Sequence, residues 1–514
     1  MRGRGSLPAL VTVALLLAGC GSPSPSDSTV PIPSATQTQS PTVSSPASAS
    51  ASSMAPATPA AETPSAAAAP SPAARPAVVR PVSPSALPVR DAAFRMGSDI
   101  RIAPQGDGGL YVAIPDGEDT LLAALDDQLR VRSGWPLLIE GRVGCEIAAD
   151  VDDGSVRAVC GDDLLGFDRD GRPLDGWPVR LPQGVYPWAE PKVMGSSLYL
   201  VAETWDKARA SATAWLIRVL HEGTVETGKA VTTKESTSEY AIHLGPDGTG
   251  YLSDYWISGS IANSSGTTVS AFDLDGVRPG WPIEFDQLSL SHPGFGRDGR
   301  VYFVQGASDR QGMSDRPSRL RSEDRRGRTR WTVELPIAAS PEWNGASSID
   351  VPAPPATGSQ GTAFVVTELK DRERTAVYAV DPSGKLTWGL NLNVGLAWAG
   401  FCAPCSTGCG QMRVVPVVGG DGALYIAQED GRVTAVGPKG RTQRGWPVTL
   451  RRPGASFWSL ATDAGGTVFT LAIEPEPGAG DPNWPHCEIL PASATILAIE
   501  PDGSVRARVT VVEP

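Results

Sequence analysis

Histidine is scarce in this chain, with four residues in 514, which leaves little room for imidazole-based acid–base chemistry. The compact motifs of hydrolytic and phosphate chemistry are missing too. No Gly-x-Ser-x-Gly elbow, His-Glu-x-x-His pair or phosphate-binding glycine loop occurs, so the common serine-hydrolase, zinc-protease and nucleotide-hydrolase readings fall away. Positive charge is in deficit: 44 Lys and Arg stand against 56 Asp and Glu, a formal charge of −12. That balance argues against nucleic acid as a partner. After residue 17 no run is long and apolar enough to read as a membrane-crossing helix.

What is present begins with a targeting pattern. Arg2 and Arg4 precede an apolar run over residues 7–17 that ends in Leu17-Ala18-Gly19-Cys20. Residues 1–20 therefore read as a bacterial lipoprotein signal, with Cys20 receiving the acyl chains; an ordinary secretory signal is the alternative. Composition then turns to Ser, Pro, Ala and Thr over residues 21–90, a segment too poor in apolar surface to offset chain entropy. It reads as a disordered tether reaching at most ~200 Å when fully extended at ~3.1 Å per residue. The folded domain is expected over residues 91–514, where the core-forming sequence lies.

That domain is built from a repeat. Val415 to Val418 lead to a Gly-Gly-Asp-Gly turn, followed by Leu424-Tyr425-Ile426-Ala427 and Arg432-Val433-Thr434-Ala435-Val436. The turn Pro438-Lys439-Gly440 comes next, then Gly445-Trp446-Pro447-Val448. Short apolar runs broken by Asp-Gly turns describe a four-stranded antiparallel meander. The unit recurs along the chain, giving an all-β propeller of about eight blades; the third and fifth units are the least regular, and seven blades are the alternative.

A second signature follows the third strand. Ala379, Asp381, Gly384 and Trp388 form Ala-x-Asp-x-x-Gly-x-x-x-Trp; Ser322, Asp324, Gly327 and Trp331 repeat it, and Ala271, Asp273, Gly276 and Trp281 repeat it with one insertion. Trp135, Trp177 and Trp446 are looser copies. The carboxylate accepts from turn amides, the glycine takes positive φ, and the indole is expected to wedge between neighbouring blades. The alternative makes these indoles ligand platforms. The pattern resembles the quinoprotein-like, or pyrroloquinoline-quinone (PQQ), propeller repeat. The resemblance implies the propeller architecture and speaks weakly to function. Quinoprotein dehydrogenases of that family carry an adjacent cysteine pair over the cofactor, and this chain has none, so PQQ is not expected here. The family's non-catalytic lipoprotein scaffolds are the nearer analogue.

In such meanders the turns joining strands one to two and three to four lie on one face. They are short here. The connections over residues 203–213, 258–268, 306–317, 389–412 and 474–495 are long and fall on the other face, which is expected to bind the partner. Cys145 and Cys160 flank a hairpin, and a disulfide there would contribute about 3 kcal/mol by loop closure. Cys402, Cys405, Cys409 and Cys487 lie in long-face connections and are expected to form two further disulfides of open pairing, with zinc as the alternative. Asp150-Val-Asp152-Asp153-Gly154 and Asp273-Leu-Asp275-Gly276 read as β-turns, with a structural calcium on one of them as the alternative. Eight arginines over residues 310–330 make a local basic patch. Trp343, Trp398 and Trp484 fall outside the repeat position and are candidate ligand contacts.

The sequence thus reads as a monomeric, lipid-anchored exported binding or scaffold protein that takes a protein or glycan on its long-loop face. It touches the membrane through the anchor alone. The alternative is an extracellular enzyme, either a PQQ-dependent dehydrogenase or a carbohydrate-active propeller.

Overall fold

A computed structural model describes residues 77–90, 100–181, 186–187, 190–206, 211–233, 237–258, 264–285, 290–305, 317–338, 353–368, 374–399, 412–450, 456–475 and 491–513. The strands of this part assemble into eight antiparallel sheets of four or more strands. Each follows the chain in order. Blade 1 runs through Arg101–Pro104, Leu110–Asp116, Asp119–Leu125 and Leu137–Glu140; blade 2 through Glu146–Ala149, Val156–Cys160, Asp163–Phe167 and Val179–Arg180. Blade 3 has Lys192–Met194, Ser197–Asp206, Ser211–Val219 and Val225–Thr227; blade 4 has Thr237–Leu244, Gly250–Ser258, Ser264–Asp273 and Ile283–Phe285. Gly294–Phe295, Val301–Gln305, Pro317–Glu323 and Thr329–Ala338 make blade 5, and Ala356–Thr357, Ala363–Glu368, Thr375–Val380 and Leu386–Leu392 make blade 6. Blade 7 holds Val417–Val418, Leu424–Ala427, Arg432–Val436 and Val448–Thr449, and blade 8 holds Ser456–Thr462, Val468–Pro475, Pro491–Ile499 and Val505–Glu513. The irregular third and fifth units are both complete blades, which decides the number in favour of eight.

Burial follows strand position. The middle strands Val156–Cys160, Thr375–Val380 and Leu424–Ala427 are buried at every residue, as expected where a sheet is covered on both faces. The outer strand Leu386–Leu392 alternates between half-buried and exposed. Blade 8 packs directly on blade 1: Phe469, Leu471 and Ile496 share one core with Leu110, Val112 and Leu121. The ring is therefore closed.

The indoles of the repeat lie on the seams between blades, and each bonds the next blade's turn. Trp135 Nε1 donates to Arg169 O (3.0 Å), Trp177 to His221 O (2.8 Å) and Trp281 to Arg325 O (3.3 Å). Trp331 donates to Pro382 O (3.0 Å), Trp388 to Pro438 O (2.8 Å) and Trp446 to Pro501 O (3.0 Å). Two versions of the seam occur. In blades 1, 2, 4 and 7 the Trp is buried in a Gly-Trp-Pro corner. There a Cβ at Gly134 would stand 2.1 Å from Asp170 O of the neighbouring blade, so only glycine permits the approach. In blades 5 and 6 the half-buried Trp sits on the fourth strand itself and packs on the turn glycine of the next blade, Gly384 or Gly440.

Two features depart from expectation. The segment assigned to the tether up to residue 90 is structured from Ala77. Val78–Pro81 adds an outer strand to blade 1 against Leu137–Glu140, and Val89–Arg90 pairs in parallel with Val512 and Glu513 of blade 8. A 3-10 turn over Pro84–Ala86, capped by Ser83, joins them. Val82, Leu87 and Val89 pack into the core shared by blades 1 and 8, an apolar set that the Ser/Pro-rich average conceals. The long connections also differ. Residues 203–213 and 258–268 continue their ladders to Asp206↔Ser211 and Ser258↔Ser264, because Thr204, Trp205, Thr213, Thr267 and Thr268 suit a pleated surface.

Candidate functional site

The seam between blades 3 and 4 differs from those sealed by indoles. At the place of the Gly-Trp-Pro corner stand Gly228 and Lys229, and the Lys229 amide donates to Leu274 O (3.1 Å). Strand Ser197–Asp206 alternates across its sheet, and Val201 joins the core shared with blade 4. Glu203 and Trp205 follow on the same side. From blade 4, Tyr240, Ile242 and Leu244 face back toward blade 3.

At the end of this seam nearest the connection between strands two and three, three side chains meet. Tyr240 donates its hydroxyl to Glu203 Oε1 (2.8 Å). The Tyr240 and Trp205 rings stack, with centroids 5.3 Å apart and planes 13° apart. Glu203 is buried and its Oε2 has no hydrogen-bond partner. Burial pushes its carboxyl above the ordinary glutamate value, and the tyrosine hydroxyl opposes the rise in part. Burial and the neighbouring carboxyl likewise raise the Tyr240 phenol, which stays protonated as the donor. Trp205 is 40% exposed, and among the described residues it is the one aromatic that is both large and exposed. The acid fixes the tyrosine, the tyrosine backs the indole, and the outer indole face meets solvent. A rigid aromatic face of this kind suits sugar rings, side-chain stems and guanidinium planes.

A second polar set lies along the innermost strands. Arg101 of blade 1 grips Glu146 of blade 2 through two bonds (2.6 and 2.5 Å). His243 of blade 4 and His292, which precedes Gly294–Phe295 of blade 5, lie with ring centroids 4.4 Å apart. Burial, with His292 and Lys192 nearby, holds His243 down to about 3, and burial lowers His292. Both rings are neutral at neutral pH, which lets them sit together without repulsion.

The residues singled out from sequence divide by place. Cys145 and Cys160 are bridged, with Cα atoms 4.4 Å apart. Cys20, Cys402, Cys405, Cys409, Cys487, Trp343 and Trp484 lie outside the described residues. Trp398 belongs to a short ribbon, Trp398–Ala399 with Met412–Arg413, beside the innermost strand of blade 8; its side chain is outside the described set. Among the described residues no three His, Cys, Asp or Glu side chains gather as a metal site. In the two Asp-rich turns, Asp150 Oδ1 accepts from Asp152 N and Asp273 Oδ1 from Asp275 N, both at 2.9 Å. The basic stretch breaks into ion pairs, Arg319 with Glu334 (3.0 Å), Arg321 with Glu323, and Arg328 with Asp324 (2.8 Å). Sequence reasoning missed Glu203, Trp205 and Tyr240. The available signal is the i, i+2, i+4 series Val201, Glu203, Trp205, which a strand ending at Ala202 cuts short by placing Glu203 and Trp205 in a loop.

No family model matches the chain, and no curated protein matches it either. Solved structures do. A quinoprotein alcohol dehydrogenase-like protein from Bacteroides thetaiotaomicron aligns at 10% identity over 82% of this chain and 96% of its own, with a TM-score of 0.38. The β-propeller domain of the trilobed protease from Pyrococcus furiosus aligns at 10% identity over 80% and 98%, also at 0.38. An acylaminoacyl peptidase from Pyrococcus horikoshii aligns at 9% identity over 81% of this chain and 53% of that one, at 0.39.

Proposed function

We propose that this chain is an exported binding protein, anchored by acyl chains on Cys20, that holds a protein or glycan on the long-loop face of its propeller. The observation that carries the reading is the Trp205–Tyr240 pair. The partly exposed indole offers an apolar face to a partner, and the hydrogen bond from Tyr240 to Glu203 holds the pair in place before any ligand arrives. Preorganisation of that kind lowers the entropy lost on binding. The carbohydrate-active alternative needs two opposed carboxyl groups, whereas Glu203 is spent on positioning the tyrosine. The lipid anchor rests on the Leu17-Ala18-Gly19-Cys20 pattern.

The test uses the mature chain, with soluble peptidoglycan fragments and photo-crosslinking to envelope proteins as probes. Trp205→Ala is expected to weaken capture of the bound species by about tenfold or more, the scale of losing an anchoring aromatic, with folding unchanged. Equal capture by Trp205→Ala and the unaltered chain would sink the reading. Cys20→Ser is expected to move the protein from the membrane fraction to the soluble one.

A further inference from the structure

The opposite face, with the short turns, carries a second arrangement between blades 4 and 5. A cleft of about 190 Å³ is lined by Asp247, Tyr251, Phe295, Arg297, Arg300 and Arg325. Its floor is aromatic, with the Tyr251 and Phe295 rings 5.1 Å apart. Its rim is cationic, and on a chain of charge −12 that is unusual.

The three guanidinium groups are only partly neutralised in place. Asp247 is the lining acid, and it is divided between Arg278 and Arg325, each at 3.8 Å. Arg300 is oriented by Asp298 (3.0 Å) and by donation to Pro382 O (2.5 Å). Arg297 is exposed and has no carboxylate partner among the described residues. Arg325 lies across Gly299, where a Cβ would fall 2.0 Å from its Nε. The absence of a side chain there lets the guanidinium lie over the cleft. Two neighbouring turns, 296–300 and 324–328, thus set three guanidinium groups around one small space, Arg297 with no carboxylate partner among the described residues.

We propose that this cleft binds a phosphate-type oxyanion. Guanidinium forks match phosphate oxygens in pairs, and the three at the rim exceed the two carboxylates, Asp247 and Asp298, that pair with them. The aromatic floor accommodates the group to which the phosphate is esterified. The source is a phosphate-bearing envelope polymer or a free phosphate monoester, which share this chemistry. The site is separate from the Trp205 platform in both face and seam.

The test measures binding of inorganic phosphate, glycerol 1-phosphate and a poly(glycerol phosphate) chain to the mature protein by calorimetry and phosphorus NMR. Binding is expected in the millimolar range or tighter, given the exposure of the rim. The Arg297→Gln/Arg325→Gln variant is expected to weaken it by about tenfold or more. Arg130→Gln/Arg172→Gln, which removes two exposed arginines from the same face of blades 1 and 2, is expected to leave it unchanged. Tighter binding of the polymer than of the monoester assigns the polymer as the source; equal binding assigns the monoester. The proposal is overturned if no probe binds at about 10 mM, a free energy already below 3 kcal/mol. It is overturned equally if both double variants lose the same affinity, which would reduce the effect to net charge.

Discussion

Six of the eight seams are closed by an indole bonded to the next blade, and two are not. The seam from blade 3 to blade 4 substitutes the Lys229 amide. The seam from blade 8 to blade 1 substitutes Arg506, whose guanidinium donates to Gly108 O (3.0 Å) and to Glu500 (3.0 Å). There Ala507, opposite Ala498, occupies the register that Trp388 holds opposite Ala379. Each exception carries something the regular seams lack. The first bears the Glu203–Tyr240–Trp205 group, and the second bears the clasp of residues 77–90. A donor to the neighbouring turn is thus the constant requirement of closure. The indole is the usual way to supply it, and where it is given up, the seam is held by polar groups or by an added strand.

That contrast can be attacked at each kind of seam. Trp135→Ala should have the largest effect, about 3–5 kcal/mol, because it empties a fully enclosed site and leaves Arg169 O without its donor; chemical denaturation of the folded domain measures it. Arg506→Ala should cost less, about 2 kcal/mol, since it removes charged hydrogen bonds and no large apolar volume. If the two losses were equal, indole packing would not distinguish the seams. The smallest effect is expected at Glu203. Its folded-state carboxyl titrates above the ordinary value, so ionisation is harder in the native state than in the unfolded one. That penalty is absent below the unfolded glutamate range and is fully present once pH exceeds the native value. The stability of Glu203→Gln relative to the unaltered chain should therefore rise between acidic and neutral pH. A difference independent of pH would show that the carboxyl is not held in the environment described.

Much of the ring was legible before any coordinates. The Asp-x-x-Gly turns are local chemistry: Asp168 Oδ1 accepts from the amides of Asp170 and Arg172 (2.9 and 2.8 Å), and Asp381 Oδ1 from Ser383 and Lys385 (2.9 and 3.0 Å). Such contacts span a few residues, so a single window of sequence holds all the information. Hence strand order, blade unit and Trp position could be read directly. The platform could not. Glu203 and Tyr240 belong to different blades, and only the packing of one sheet on the next brings them within a hydrogen bond. The clasp escaped for another reason: Val82, Leu87 and Val89 are sparse among prolines and serines, and nothing nearby in sequence shows what they pack against.

The chain by itself determined the meander, its turns and the recurring indole, because each depends on hydrogen bonds and steric limits between near neighbours along the backbone. The tertiary structure alone decided how the circle is completed, what replaces the indole at the two seams without one, and where Trp205 and the three arginines of the blade 4–5 cleft come to rest. Those outcomes depend on contacts between blades, and the distances across a seam follow from closing the whole ring.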